Sequence, residues 1–171
     1  MVNLDKWIRT ILKFFILTPI VYVIMKPLED FLIKYVAFHS YLILKMFEPC
    51  YLEDSVIHLS NLSIEIIGVC TGVTLMAIYI SLVVVTAKNF KEFFIGSLVG
   101  LFLIYLGNVL RICLIAFIGT HESYNIQTIH DIISYIDVPI TVFASILWLK
   151  IQNLMDKSNK ISKKIKKIKE D

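Results

Sequence analysis

Cysteine is scarce in this chain of 171 residues: Cys50, Cys70 and Cys113 are the only three, and none forms a C-x-x-C pair. A membrane dithiol oxidoreductase is therefore disfavoured. His39, His58, His121 and His130 lie on different segments with no H-x-x-x-H spacing, so no metal centre is expected. There is no low-complexity linker and no repeat of solenoid period. The N-terminal region has basic residues and an apolar stretch but no small-residue cleavage site, so residues 7–25 are expected to stay as a membrane span. Most telling is the shortage of positive charge in the second half. Between Glu92 and Leu149 the one Lys or Arg is Arg111.

What is present is apolar. The chain is 57% hydrophobic with a mean hydropathy of +0.76, more apolar surface than a soluble domain of this length would carry. An all-α integral membrane protein is expected, a bundle of about five transmembrane helices with a short external loop or hairpin; four helices plus an interfacial one is the alternative. Residues 1–154 read as a single transmembrane catalytic domain and 155–171 as a basic cytoplasmic tail. Residues 150–171 carry eight Lys against three acids, whereas the remaining 149 residues have a net charge of −2. Such a tail marks the cytoplasmic face and faces anionic lipid. It has no interleaved aromatics, so no nucleic-acid partner is expected.

Three spans stand out: Val69 to Ala87, Phe93 to Gly119, and Asp131 to Ile151, each near or above the roughly 20 residues needed to cross. The connection with Lys88 and Lys91 is basic, and that from Thr120 to Thr128 has no Lys or Arg. The positive-inside rule makes the first cytoplasmic and the second external, in agreement with the tail. Residues 48–68 then lie outside, where partial alternation from Val56 to Ile66 suggests a hairpin or strand. Residues 28–47 place Lys34 and Lys45 on nearly one helical face, which suits either a bundle-facing span or an amphipathic interfacial helix. The side of the N-terminus stays open with that choice.

This topology brings three polar residues to the external half of one bundle. Cys70 opens its span, Arg111 lies about 12 Å below the external end of the next at 1.5 Å per residue, and His130 lies at the mouth of the last. A guanidinium stays charged at any useful pH, and burying one in a bilayer costs roughly 2.5–3.5 kcal/mol even on lenient scales. Its bland role is a structural ion pair, with Asp137 the natural partner. Its functional role is to hold an oxyanion or a carboxylate. A thiol is the most nucleophilic side chain near neutral pH, and Cys70 at a helix N-terminus gains from the dipole. Gly72 allows close backbone approach. His130 can move a proton, and Asn108, one turn from Arg111, can donate an amide hydrogen or join two helices. The bland alternatives are a small core cysteine and a snorkelling histidine.

Val69-Cys70-Thr71-Gly72, Gly107-Asn108-Val109-Leu110-Arg111-Ile112 and His130 together resemble the exosortase/archaeosortase family of membrane transpeptidases. The C-T-G form is closer to the archaeosortase branch, since exosortases more often have C-S-G. The resemblance implies a catalytic set of Cys70 as nucleophile, Arg111 as oxyanion stabiliser and His130 as general acid/base. Relatives tend to have a glycine shortly after the histidine where this chain has Ser134, and His121 is the fallback. The implied substrates are secreted proteins whose C-terminal tail holds a short motif, a hydrophobic span and a basic cluster. The implied acceptor is a membrane lipid amine, and no cofactor is implied. The location would be the cell membrane, with the active site external. Gly96, Ser97 and Gly100 are expected to receive the substrate's helix through small-residue packing. The rival reading is a non-enzymatic carrier or assembly protein that uses Arg111 to bind an anionic group.

Overall fold

The computed structural model describes residues 4–121 and 137–170. It is mostly helical, with α1 Leu4–Met25, α2 Leu28–Leu44, α3 Val73–Thr86, α4 Phe90–His121 and α5 Asp137–Glu170. Between α2 and α3 lie three short strands, β1 Tyr51–Glu53, β2 Val56–His58 and β3 Ser63–Glu65, followed by a 3₁₀ turn over Gly68–Thr71. Three helices are long and apolar enough to cross a membrane, over Trp7–Met25, Phe90–Thr120 and Val138–Ser158. The apolar α3 is shorter, at 14 residues, or about 21 Å at 1.5 Å per residue.

The expected span from Val69 to Ala87 is thus cut at its start. Gly72 has φ 76°, a left-handed conformation that costs an L side chain about 1–2 kcal/mol, and α3 begins only at Val73. Hydropathy does not register the break, because Val69 is as apolar as any helical residue. The basic tail, by contrast, is a direct continuation of the last helix, since α5 runs unbroken to Glu170.

Close approach of α3, α4 and α5 fixes the bundle. The Tyr79 ring lies directly over Gly100 and its hydroxyl donates to the Gly96 carbonyl at 2.9 Å. Trp148 covers Gly96 and donates from Nε1 to Thr86 Oγ1 at 2.8 Å. A Cβ at either glycine would run into those rings. Gly96 and Gly100 are therefore filled by the protein's own side chains, which corrects the expectation that they receive a substrate helix. The opposite face of α4 exposes Phe94, Leu98, Phe102, Leu106, Leu110, Leu114 and Phe117, a stripe at near-helical spacing suited to lipid.

One end of the bundle is marked by Lys88. Asn89 caps α4: its Oδ1 accepts from the Glu92 amide at 2.9 Å, and the buried Glu92 carboxylate accepts from the Lys88 amide and the Asn89 side chain, a reciprocal arrangement of the capping-box kind. Lys88 pairs with Asp156, and Gln152 donates to the Thr86 carbonyl. Trp7 and Thr10 line a cavity with Lys88 and Gln152, so the start of α1 is at this end too.

At the other end, α2 meets the bundle along its whole length. Glu29 lies over Gly68, His39 Nδ1 and the Tyr105 hydroxyl share a hydrogen bond of 2.8 Å, and Cys113 Sγ donates to the Ser40 carbonyl at 3.7 Å. Val36, Ala37 and Leu44 are buried with Val109, Ile112, Cys113 and Ala116 of α4 and with Ile57, Leu59 and Ile66 around the strands. The opposite face of α2 exposes Leu28, Phe31, Tyr35, Phe38 and Leu42.

The expected hairpin is a three-stranded antiparallel sheet in the order β1-β2-β3, with Leu52↔Ile57 and Ile57↔Ile64 in register. Asp54, at φ 52°, turns the first hairpin. One face of the sheet joins the core; the other carries Tyr51, stacked on His58 with ring centroids 4.6 Å apart, together with Glu53, Ser63 and Glu65.

Candidate active site

Cys70 is held in the 3₁₀ turn rather than in α3 itself. Its amide donates to the Ile67 carbonyl at 2.8 Å. Thr71 is fully buried, and its Oγ1 donates to the Gly68 carbonyl at 2.6 Å while accepting a longer contact, 3.4 Å, from the Val73 amide. The hydroxyl therefore closes the turn and caps the helix at once. Gly72 then reverses the backbone. Each letter of C-T-G has its own task here: a thiol on the turn, a hydroxyl to close it and a glycine to leave it. Serine in the middle place would supply the same hydroxyl.

Asn108 ties this turn to α4. Its Nδ2 donates to the Cys70 carbonyl at 2.5 Å, and its side chain packs on Gly72, where a Cβ would sit 3.5 Å from Asn108 Cγ. Asn108 is 1% exposed, and among the described residues its Oδ1 has no hydrogen-bond partner. Through this bond Asn108 joins the turn to α4 and orients it, while its second amide hydrogen is not committed by that contact. Arg111 is three residues further along α4 on the same side and only 5% exposed. The turn packs on the cluster that holds Val109 and Ile112, the neighbours of these two residues.

Cys70, Gly72 and Asn108 thus meet where the Cys70 turn packs on α4, and Arg111 is buried one helical turn further along that helix. His130 lies outside the described residues, and Asp137 is described only by its backbone, as the first residue of α5. The other thiols differ from Cys70. Cys113 is buried beneath α2 and bonded to Ser40. Cys50 is half-buried just after α2, and burial pushes its thiol above the ordinary value. Among the described residues no cluster of His, Cys, Asp or Glu has the arrangement of a metal site. Sequence reasoning missed Thr71 as the residue that shapes the turn; its position between a cysteine and a glycine was the available signal.

The sequence matches a family model described as transmembrane exosortase over residues 3–149. It is 32% identical over 126 residues to a probable archaeosortase E of Methanocaldococcus jannaschii, covering 73% of this chain and 68% of that one. It is also 31% identical over 140 residues to a probable archaeosortase D of the same organism, covering 81% and 87%. No solved structure matches. With the family model spanning most of the chain and both relatives on one side of the family, the protein belongs to the exosortase/archaeosortase family, in its archaeosortase branch.

Proposed function

We propose that this protein is a membrane-embedded cysteine transpeptidase that removes the C-terminal sorting tail of secreted surface proteins and passes them to an acceptor amine, that of a membrane lipid. One observation carries the reading: Asn108 clamps the Cys70 turn to α4 one helical turn from the buried Arg111. A nucleophile fixed beside a permanent cation in an apolar bundle is what acyl transfer through an oxyanion requires.

The chemistry follows from the roles. The Cys70 sulfur attacks the peptide carbonyl near the substrate's motif, and the carbonyl oxygen takes the negative charge beside Arg111. The C–N bond then breaks. The leaving amine takes a proton, delivered by His130, and the tail departs while the substrate remains as a Cys70 thioester. The acceptor amine attacks the thioester, forms a new amide, and returns the electron pair to sulfur and its proton to the histidine. Water in place of the amine gives a free carboxyl terminus instead.

Residues 1–154 act as the catalytic domain and 155–171 as the basic cytoplasmic tail. The Lys88 end faces the cytoplasm, which the basic α5 extension at that end supports. The helices α1, α3, α4 and α5 cross, and α2 lies against the outer half of α4 without returning, because it meets the Cys70 end at Glu29 and again at Ser40 and Leu44. This favours four crossings plus a membrane-embedded helix over five, and puts the N-terminus in the cytoplasm. The site opens on the external side, where the scissile bond just outside a substrate's span would lie.

The test is mass spectrometry of surface-protein C-termini from cells carrying the wild-type protein or Cys70→Ala. A set of proteins that keeps its hydrophobic tail only in the mutant is expected, with lipid on the wild-type terminus. Unchanged termini would reject the sorting reading and move the anion-binding carrier to the front.

A further inference from the structure

The sheet beside the site has two edges, and they are not alike. On the β1 side the sheet faces α2: Leu52, Asp54 and Ser55 line one cleft with Asp30, Ile33, Lys34 and Phe38 of α2. Among the described residues no strand pairs with the outer side of β3. The pairing pattern says which amides are left there. Leu59 N–H bonds to the Leu62 carbonyl and Ile66 N–H to the Ser55 carbonyl, so the backbone groups of residues 62, 64 and 66 turn toward β2. In an antiparallel ladder the alternate residues turn the other way. Ser63 and Glu65 therefore present N–H and C=O to the open edge. Such an edge is a template for another extended chain.

Its position gives it meaning. Four residues separate Glu65 from Cys70, and beyond Cys70 the chain turns into α3. We infer that the free edge of β3 is the docking strand for the substrate's recognition motif, which adds to the sheet in extended form, parallel to β3, and so delivers its C-terminal end to Cys70. This rests on the sorting reading above and extends it to how the substrate is held. A sorting tail has the required order, an extended motif followed by a span, which mirrors the order of β3, the Cys70 turn and α3. Backbone pairing supplies affinity, and alternate side chains supply specificity. On the outer face the row Glu53, His58, Ser63 and Glu65 favours hydroxyl-bearing or basic side chains opposite it. On the inner face the neighbour is Ile64, packed on the core, so the intervening motif positions are apolar.

The experiment uses the full-length protein in lipid nanodiscs. The probe is a synthetic peptide spanning the cleavage site of a surface protein whose tail is kept in Cys70→Ala cells. Glu65→Pro removes one outward N–H and leaves the pairing with β2 intact; its peptide-processing rate is expected to fall about tenfold below that of Glu65→Ala, which also lacks the carboxylate but keeps the N–H, the scale of one lost hydrogen bond. Residue-resolved amide exchange on the Cys70→Ala protein, whose sheet is unaltered, is an independent readout. The Ser63 and Glu65 amides should exchange fast alone and slowly with the Cys70→Ala protein holding the peptide, and the Ile64 amide should be slow in both. Processing by Glu65→Pro at the wild-type rate would overturn the inference. So would slow exchange at Ser63 and Glu65 without peptide, because the chain itself would then cover the edge. If Glu65→Pro does not accumulate, Ser63→Pro and the exchange measurement decide. If Cys70→Ala cells keep no tails, the sorting reading has failed and the docking strand falls with it.

Discussion

The side-chain amide of Asn108 donates to the backbone carbonyl of Cys70 at 2.5 Å, so the residue proposed as nucleophile is fixed by the helix that carries Arg111. A donor is required. Asn108→Asp keeps the shape but offers only acceptors at neutral pH, and Asn108→Ala leaves the carbonyl unpaired. Either change is expected to slow tail removal about ten- to hundredfold, the rate equivalent of the roughly 1–3 kcal/mol lost with a buried partner. Single-turnover processing in membranes checks it. The decrease should lie in turnover more than in KM, since Asn108 holds the turn and not the substrate.

Gly72 is expected to tolerate no side chain without cost. Its φ of 76° and its contact with Asn108 mean that Gly72→Ala costs about 1–2 kcal/mol in backbone strain, and the turn would relieve the strain by tilting Cys70 away from Arg111. Thermal unfolding in detergent together with processing would show a small loss of stability and a larger loss of activity.

Arg111→Lys preserves the charge but not the planar fork that presents several donors at once. It is expected to process tails at least about tenfold more slowly than wild type, and Arg111→Gln more slowly still, as for the loss of an oxyanion donor. Accumulation of unprocessed substrate on immunoblots gives the order. Equal processing by Arg111→Gln and wild type would remove the oxyanion role.

The Cys50 thiol should react at higher pH than an ordinary cysteine. Burial holds the Cys50 thiol above its ordinary value, so its reactive thiolate appears only as pH rises past that raised value. In a protein with Cys70→Ala and Cys113→Ala, the inflection of Cys50 alkylation is expected above that of free cysteine in the same buffer. Cys50→Ser in the wild-type background should leave tail processing unchanged.

Gly100→Ala is expected to destabilise the bundle without touching the site. The Tyr79 ring occupies the space a Cβ would need, and overpacking of this kind costs about 1–3 kcal/mol. A lower unfolding temperature with near-normal single-turnover processing of the surviving fraction is the expected pair of results.

That same glycine shows what the sequence conveys and what it conceals. Small residues announce a close approach but not the partner, so Gly96 and Gly100 read equally well as a seat for a substrate helix and as the seats of Trp148 and Tyr79. Arg111 was legible because a lone cation in an apolar run has a cost that composition alone exposes. Asn108 was legible as a neighbour of Arg111, but its bond to Cys70 crosses 38 residues and has no local trace. The start of α3 was misplaced because hydropathy counts Val69 and Val73 alike, whereas the break depends on the φ of Gly72. For α2, Lys34 and Lys45 on one face leave two placements open; its contacts at both ends with the Cys70 side of the bundle support the embedded placement proposed above.

The short α3 has a further consequence. A helix of about 21 Å does not by itself fill a hydrocarbon layer of roughly 30 Å, so in the orientation proposed above the Cys70 turn would complete the crossing and sit several ångströms beneath the external surface. The thioester of the proposed reaction would then be sheltered at a depth where water is dilute and lipid is the solvent. Under the proposed reaction, the competition between hydrolysis and transfer would then be tilted by the length of one helix, toward the reactant already dissolved in the membrane.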